Sequence, residues 1–135
     1  MQSLRERLRE AEKQGTKLAS ELARREGLEL YQATLPSPDG LRRMQFRSPT
    51  TVDDLIRTKA VTFAGGGHAL ALAVGAETGA ALIAASTDSG IDAGRVLKEF
   101  LARVGGRGGG SATLAQGSFS NPSSAVQLAV DLGFS

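Results

Sequence analysis

The residues best suited to bind an anion lie in the stretch VGGRGGGSATLAQGS, Val104–Ser118. Five glycines and Arg107 occupy six consecutive positions of this stretch, directly after an amphipathic helical pattern. A backbone without Cβ atoms can turn several N–H groups outward and form a nest that accepts an anion. The guanidinium of Arg107 adds forked donors that match a phosphate. The pattern therefore favours a loop that contacts a phosphate or a sugar edge.

The predicted contact residues lie in this stretch or one helical turn before it. They are Gly105, Gly106, Arg107, Gly108, Gly109, Gly110, Ser111, Gln116 and Arg103. Diffuse attraction is expected from other basic positions: Arg95, Lys98, Arg42, Arg43 and Arg47. The stretch matches neither common phosphate motif, because no lysine follows Gly110 and the run follows a helix instead of a strand. The alternative interpretation is a helix end with a close-packed loop.

Other candidate sites in the sequence have simpler structural explanations. Gly65–His68 reads GGGH, but it lies between a predicted helix and a predicted buried strand, and we expect a tight connection there. Asp53 and Asp54 suit the first turn of a helix better than an acid pair. With no cysteine and one histidine, the chain offers no thiolate zinc site and no Cys nucleophile. We predict a chain without a catalytic constellation, cofactor or metal.

Composition sets further limits on the function. The net charge of +2 permits a nucleic-acid partner without requiring one. Aromatic residues make up 4% of the chain, so small residues must fill the core and broad base-stacking platforms are not expected. No apolar run is long enough to span a bilayer, and the charged N-terminus is unlike a signal peptide. These features predict a soluble, cytoplasmic module with no membrane partner.

The elements that must position these residues begin with a long helix over residues 2–26. Leu4, Leu8, Ala11, Leu18 and Leu22 repeat at the three–four spacing of a coiled coil, with Gly15 at one seam position. Self-association through this helix and packing on the chain's own domain are both compatible with the pattern. We predict a possible coiled-coil dimerisation element over residues 1–26 and a glycine-rich α/β domain over residues 27–135.

Strand and helix patterns alternate along the rest of the chain. Alternating residues predict a strand pair at 28–35 and 41–48, joined by the turn cluster PSPDG. Further strands are predicted at 69–75 and 80–87, and helices at 48–64, 89–104 and 121–133. Ser48, Thr50 or Thr51 is the expected N-cap of the first of these helices. The predicted fold is α/β, a mixed sheet of about four or five strands flanked by helices and preceded by the long coiled-coil-like helix.

The segment IDAGRVLKEFLARVGGRGGGSATLAQGS, Ile91–Ser118, resembles the glycine-rich DHH-associated C-terminal domain. That domain occurs in alanyl-tRNA synthetases, in AlaX-type alanyl-tRNA editing proteins and in relatives of the DHH phosphoesterases. Its pattern is a helix ending in GGxGGG, followed after a few residues by A-Q-x-G; here Gly117 follows Gln116 directly. The synthetase version commonly has Arg-Pro after the triple glycine, whereas this chain has Ser111-Ala112, which favours an editing-type parent or a divergent synthetase. The resemblance covers about residues 28–135.

The resemblance implies a function that the residues alone do not give. In that family the domain is not catalytic and is associated with contact to tRNA, while the helix before it is associated with dimerisation. The implied partners are tRNA, first of all tRNA-Ala, and a second copy bound through the N-terminal helix. The nine contact residues named above, Gly105–Ser111 with Gln116 and Arg103, become candidate nucleic-acid-binding residues. A purely structural oligomerisation domain and a phosphoesterase-family domain acting on phosphorylated substrates remain the alternatives.

Overall fold

The computed structural model describes residues 4–134. These residues form four α-helices and five strands, and a short 3-10 helix precedes the last α-helix. They are α1 (Leu4–Ala33), β1 (Arg42–Ser48), α2 (Asp54–Ala64), β2 (Ala69–Gly75), β3 (Ala80–Ala85), α3 (Ala93–Val104), β4 (Gly106–Gly110), β5 (Leu114–Phe119) and α4 (Ala125–Asp131). Within this part of the chain, no helix has the length and apolar character that a membrane span requires.

The five strands form one mixed sheet in the order β1-β2-β3-β5-β4. β1 and β2 are parallel and joined through α2, while the other neighbours are antiparallel. β1 and β4 are therefore the two edges of the sheet. The predicted mixed sheet of four or five strands with helices on it is confirmed.

Alternation along the central strands separates two cores. On β2, Leu70 and Leu72 face the cluster formed with α3 and α4, whereas Ala69, Ala71 and Ala73 face the cluster formed with α2. Small side chains on the α2 side let that helix approach the sheet closely, in keeping with the low aromatic content. The sheet is thus covered by α1 and α2 on one side and by α3 and α4 on the other.

Helix α1 continues through the segment predicted as a strand at 28–35, so that prediction is wrong. Its inner face has a four-residue spacing, with Ala23 buried and Gly27 against α2. A Cβ at position 27 would lie 2.8 Å from the Lys59 carbonyl oxygen, so glycine permits this close approach. Lys59 also pairs with Glu26 at 2.8 Å. Packing on α2 decides the conformation of a segment whose alternation suggested a strand.

The end of α1 is attached to the start of the sheet by Tyr31. Its hydroxyl donates to the carbonyl oxygens of Gly66 at 2.7 Å and Gly67 at 3.0 Å. Arg42 donates to the same hydroxyl at 2.9 Å and lies 4.5 Å from the centre of the Tyr31 ring. Arg42 also donates to the Thr34 carbonyl oxygen at 2.9 Å. These contacts fix the direction of α1 relative to β1 and α2.

Helix α2 begins at Asp54 and is capped by Asp53. The Ile56 N–H donates to Asp53 Oδ1 at 2.8 Å, which satisfies one of the free amides of the first turn. The predicted cap at Ser48, Thr50 or Thr51 is wrong, because the backbone stays non-helical until Asp53. Asp54 lies in the first turn as expected.

Candidate nucleic-acid interface

The glycine run predicted as a loop forms the edge strand β4. The chain leaves α3 through Gly105, whose φ of +81° suits glycine, and then pairs antiparallel with β5. Arg107 lies opposite Ser118, and Gly109 lies opposite Gln116. The loop prediction is wrong because the partner strand and the overlying helix impose an extended conformation that glycine does not itself favour.

The face of β4 that looks toward α3, here called the inner face, requires its glycines. Gly106, Gly108 and Gly110 alternate on this face. A Cβ at Gly108 would lie 2.5 Å from the Gly117 Cα and 3.0 Å from Leu101 Cδ1. The alternative interpretation, in which the glycines serve close packing, therefore accounts for this half of the run.

The opposite face of the β4–β5 ribbon, the outer face, is not covered by a helix in the described residues. Arg107, Gln116 and Ser118 line a depression there. A Cβ at Gly109 would meet nothing within 4 Å, so packing does not explain glycine at this position. Exposed polar groups and a bare backbone thus meet on one surface.

The free edge of β4 presents backbone donors at every second residue. The Ser120 N–H donates to Gly105 O at 3.1 Å, and the Ser111 N–H donates to Leu114 O at 2.9 Å. Because antiparallel pairing alternates, the odd-numbered residues bond to β5, and the N–H groups of Gly106, Gly108 and Gly110 point away from the sheet. The predicted nest of consecutive amides is not formed, and a row of spaced amides takes its place.

Basic side chains lie on both sides of this edge. On the outer face Arg107 is exposed. Beside α3 a groove is lined by Arg95 and Lys98 together with Asp92, Glu99 and residues 108–112. Arg95 is held by Glu99, with the Nε atom 3.2 Å from the Glu99 carboxylate. The edge amides therefore lie between Arg107 on one side and Lys98 on the other, and each of these cations has acidic side chains nearby.

Two of the predicted contact residues have structural partners instead. The Ser111 hydroxyl accepts from the Leu114 N–H at 3.2 Å and so holds the β4–β5 turn. Arg103 projects from α3 and donates to the Asp131 carboxylate at 2.7 Å, which lowers the pKa of Asp131. Arg103 belongs to the α3–α4 layer, on the other side of the sheet from the side chain of Arg107. The structure brings Arg107, Gln116 and the glycine backbone together, and it separates Arg103 from them.

The arginines at the start of β1 are also occupied. Arg42 bonds to Tyr31 and Thr34 as described above. Arg43 donates to both oxygens of Asp39, at 2.9 and 2.6 Å, and lowers the pKa of that carboxyl to about 2. The expected diffuse attraction from this strand is therefore left mainly to Arg47, which is exposed.

The outer-face depression contains residues that the sequence reasoning did not connect with the glycine run. Asp53, Asp54 and Arg57 of α2 line it together with Arg107 and Gln116. Their spacing places Asp53, Asp54 and Arg57 within one turn of a helix, but nothing in the sequence indicates that this turn meets a strand some fifty residues later. Only the order of the strands brings the two segments together.

The amino-acid sequence was compared with models of known protein families, and one family matches. The model of the DHHA1 domain family matches residues 63–132, just over half of the chain. The chain belongs to the DHHA1 family. The match includes β2 to β5 and the whole glycine run, whereas α1, β1 and all of α2 except its last two residues lie outside it. The resemblance to the DHH-associated domain is thereby confirmed.

Two solved structures share the fold of this DHHA1 domain. The C-Ala domain of alanyl-tRNA synthetase from Aquifex aeolicus has a TM-score of 0.53 and 21% identity, covering 68% of this chain and 86% of that one. A member of the s1p family of ribosomal proteins, described as a DHH domain, has a TM-score of 0.53 and 17% identity. The alignment covers 81% of this chain but 30% of that longer chain. Comparison with curated proteins found no match.

The GGGH segment of the DHHA1 domain, Gly65–His68, connects α2 to β2. The His68 N–H donates to Asp88 Oδ1 at 2.8 Å, and its imidazole Nε2 lies 3.3 Å from Asp88 Oδ2. The bond from this backbone N–H is the main reason that the pKa of Asp88 is lowered. No group of three acidic, histidine or cysteine residues whose side chains the structure describes is placed to hold a metal ion.

Proposed function

We propose that this DHHA1 domain is a non-catalytic tRNA-binding and dimerisation module of a longer alanyl-tRNA editing protein or alanyl-tRNA synthetase. Its preferred partner is tRNA-Ala, and its place is with the cytoplasmic tRNA machinery. The observation that carries the proposal is the free edge of β4, where outward amides lie between Arg107 and Lys98. The similarity in fold to a domain named as part of an alanyl-tRNA synthetase supports the choice of tRNA.

The β4 edge suits a sugar–phosphate backbone. A phosphate oxygen accepts from an outward N–H of Gly108 or Gly110 while the guanidinium of Arg107 neutralises its charge. Lys98 and Arg95 attract the next phosphates, and Arg103 contributes only at long range because Asp131 holds it. Contacts of this kind position RNA without reading its sequence.

The RNA-binding proposal is tested by titrating the full chain with tRNA-Ala at several salt concentrations. Arg107→Ala should weaken binding several-fold and reduce the slope of log K against log salt by about 1, because one phosphate contact is lost. Fluorescence anisotropy of labelled tRNA measures both quantities.

Arg24→Ala is the matched control for this titration. Arg24 is exposed on α1, far from β4, and its removal lowers the net charge by the same amount. If both variants bind tRNA as tightly as each other, general charge explains binding and the β4 edge is not the site. Unchanged affinity in Arg107→Ala, with the fold intact, leads to the same rejection.

Dimerisation is assigned to the apolar stripe of α1. Leu18 and Leu22 continue the heptad spacing, yet they are 65% and 53% exposed in the single chain. The double variant Leu18→Glu/Leu22→Glu should sediment as a monomer at concentrations where the parent is a dimer, because charges replace the seam. Leu28→Glu is the control, since Leu28 is 51% exposed but lies off the stripe. A monomeric parent, or equal dimerisation in both variants, would exclude this interface.

A purely structural oligomerisation domain is the second candidate function. The inner-face packing of Gly106, Gly108 and Gly110 favours it, since a Cβ at any of them would clash with β5, and at Gly106 and Gly108 also with Leu101 of α3, whether or not RNA binds. In that case the chain dimerises through α1 but shows no saturable binding to tRNA. The two experiments above therefore separate the candidates.

A further inference from the structure

The outer-face depression is a cavity beside the β4 edge, and binding a phosphate at that edge would not require such a cavity. Asp54 and Arg57 stand on its α2 side, Arg107 and Gln116 on its strand side, and Leu82 of β3 lines it between them. Its volume of about 430 Å³ lies within the usual range of small-ligand sites. The depression adjoins the β4 edge through Arg107, which belongs to both surfaces.

The charges of the depression are mixed. Asp53 and Asp54 line it beside Arg57 and Arg107, so the two signs balance. Among the side chains that the structure describes, none of the ion pairs within 4.0 Å involves these four residues. Carboxylates repel phosphates, and they accept hydrogen bonds but cannot donate them. A ligand that uses the whole depression must therefore present N–H donors as well as acceptors.

Space above the strand supports a planar ligand. A Cβ at Gly109 would meet nothing within 4 Å, and the neighbouring strand residue is Gln116, whose amide both donates and accepts. Gly109 itself lies just outside the residues that line the depression, next to Gln116, so its bare backbone leaves the strand side open for a flat ring to reach the polar groups of the rim. The first turn of α2 gives a fixed wall, because Asp53 caps it through Ile56.

We propose that this depression reads one unpaired nucleobase whose edge has adjacent N–H donors beside a carbonyl oxygen, the edge of guanine. Asp54 accepts from the ring N–H and the exocyclic amine, Arg57 donates to the carbonyl oxygen, and Arg107 holds the adjoining phosphate. This inference rests on the proposed RNA-binding function and extends it. Phosphate contacts position an RNA, whereas contacts to a base edge give specificity.

The test compares two short single-stranded RNAs, each with uridines around one central guanosine or one central inosine. Inosine lacks only the exocyclic amine that Asp54 is proposed to bind. The full chain should bind the guanosine RNA about tenfold more tightly, as expected for loss of a hydrogen bond to a charged group. In Asp54→Ala this ratio should fall to about one.

Two controls keep the test decisive. Glu21→Ala removes an exposed carboxylate on α1 and should retain the preference. Because Asp54 is exposed and Asp53 supplies the cap, Asp54→Ala should keep the parent's thermal unfolding curve, recorded by circular dichroism.

Three results would overturn the inference. The first is that the parent binds the two RNAs with equal affinity, and the second is that Asp54→Ala still prefers the guanosine RNA. The third is that Asp54→Ala binds both RNAs more tightly than the parent by the same factor, which would indicate that Asp54 only repels the RNA backbone. If tRNA still binds in an Arg107-dependent way, each of these leaves the proposed function intact. Failure of the parent to bind tRNA or either short RNA overturns the proposed function and this inference together.

Discussion

The two edge strands of the sheet both carry arginines, and they use them differently. On β1, Arg42 and Arg43 are half-buried and bond to groups of the same chain, Arg42 to the end of α1 and Arg43 to Asp39. On β4, Arg107 is exposed on an open face beside unpaired edge amides. Positive charge in the sequence therefore does not by itself identify a binding surface. What distinguishes Arg107 from Arg42 and Arg43 is that none of the described residues binds its guanidinium.

The largest effect that tests this comparison is expected on the inner face of β4. Gly108→Val should lower the free energy of unfolding by about 3 kcal/mol, because its Cβ meets the Gly117 Cα at 2.5 Å and Leu101. Urea denaturation followed by circular dichroism measures the loss. This result would show that the edge depends on close packing against β5 and α3.

Gly109→Val is the matched control one residue away, on the outer face. Its Cβ meets nothing within 4 Å, so stability should change by less than about 0.5 kcal/mol. The added side chain should nevertheless weaken RNA binding, since it stands where the proposed ligand approaches. Equal destabilisation by the two valines would contradict the assignment of inner and outer faces.

A smaller effect is expected at the β1 edge, and it depends on pH. The hydrogen bond from Arg43 lowers the pKa of Asp39 to about 2 from the ordinary 3.8, so the ionised carboxylate favours the folded state. That stabilisation is present above about pH 4 and is lost as the pH falls toward 2. Asp39→Asn should therefore lose less thermal stability than the parent over this interval, while its tRNA affinity at neutral pH stays unchanged. A parallel decline of both melting temperatures would show that the pair does not stabilise the fold.

The sequence predicted the local features of the chain well where periodicity and capping dominate. The buried strands β2 and β3 and the helix α3 follow directly from runs of small apolar residues and from the apolar face of residues 91–104. The end of α1 was missed because alternation from Leu28 to Leu35 also fits a helix once Gly27 and Tyr31 pack on α2. Tertiary packing decided between two conformations that the local pattern left open.

The candidate site was predicted only in part, for a related reason. Arg107 and Gln116 could be predicted because a glycine run that contains one arginine is typical of a loop that contacts an anion. The strand conformation of that run could not be foreseen, since it depends on pairing with β5 and on Leu101 of α3. Arg57 and Asp54 were not connected with it, because the sheet order that joins them is a long-range property of the fold.

The attachment of α1 by Tyr31 has a consequence for valency. Because Tyr31 and Arg42 join the helix to α2 and β1, the helix cannot swing independently of the sheet. If two copies pair through Leu18 and Leu22, their β4 edges are therefore held at one separation and in one orientation. An RNA that spans both edges would bind the second at a high effective concentration, and an RNA of another shape would engage only one. The tyrosine that orients a helix would then also select RNAs by the distance between their binding points.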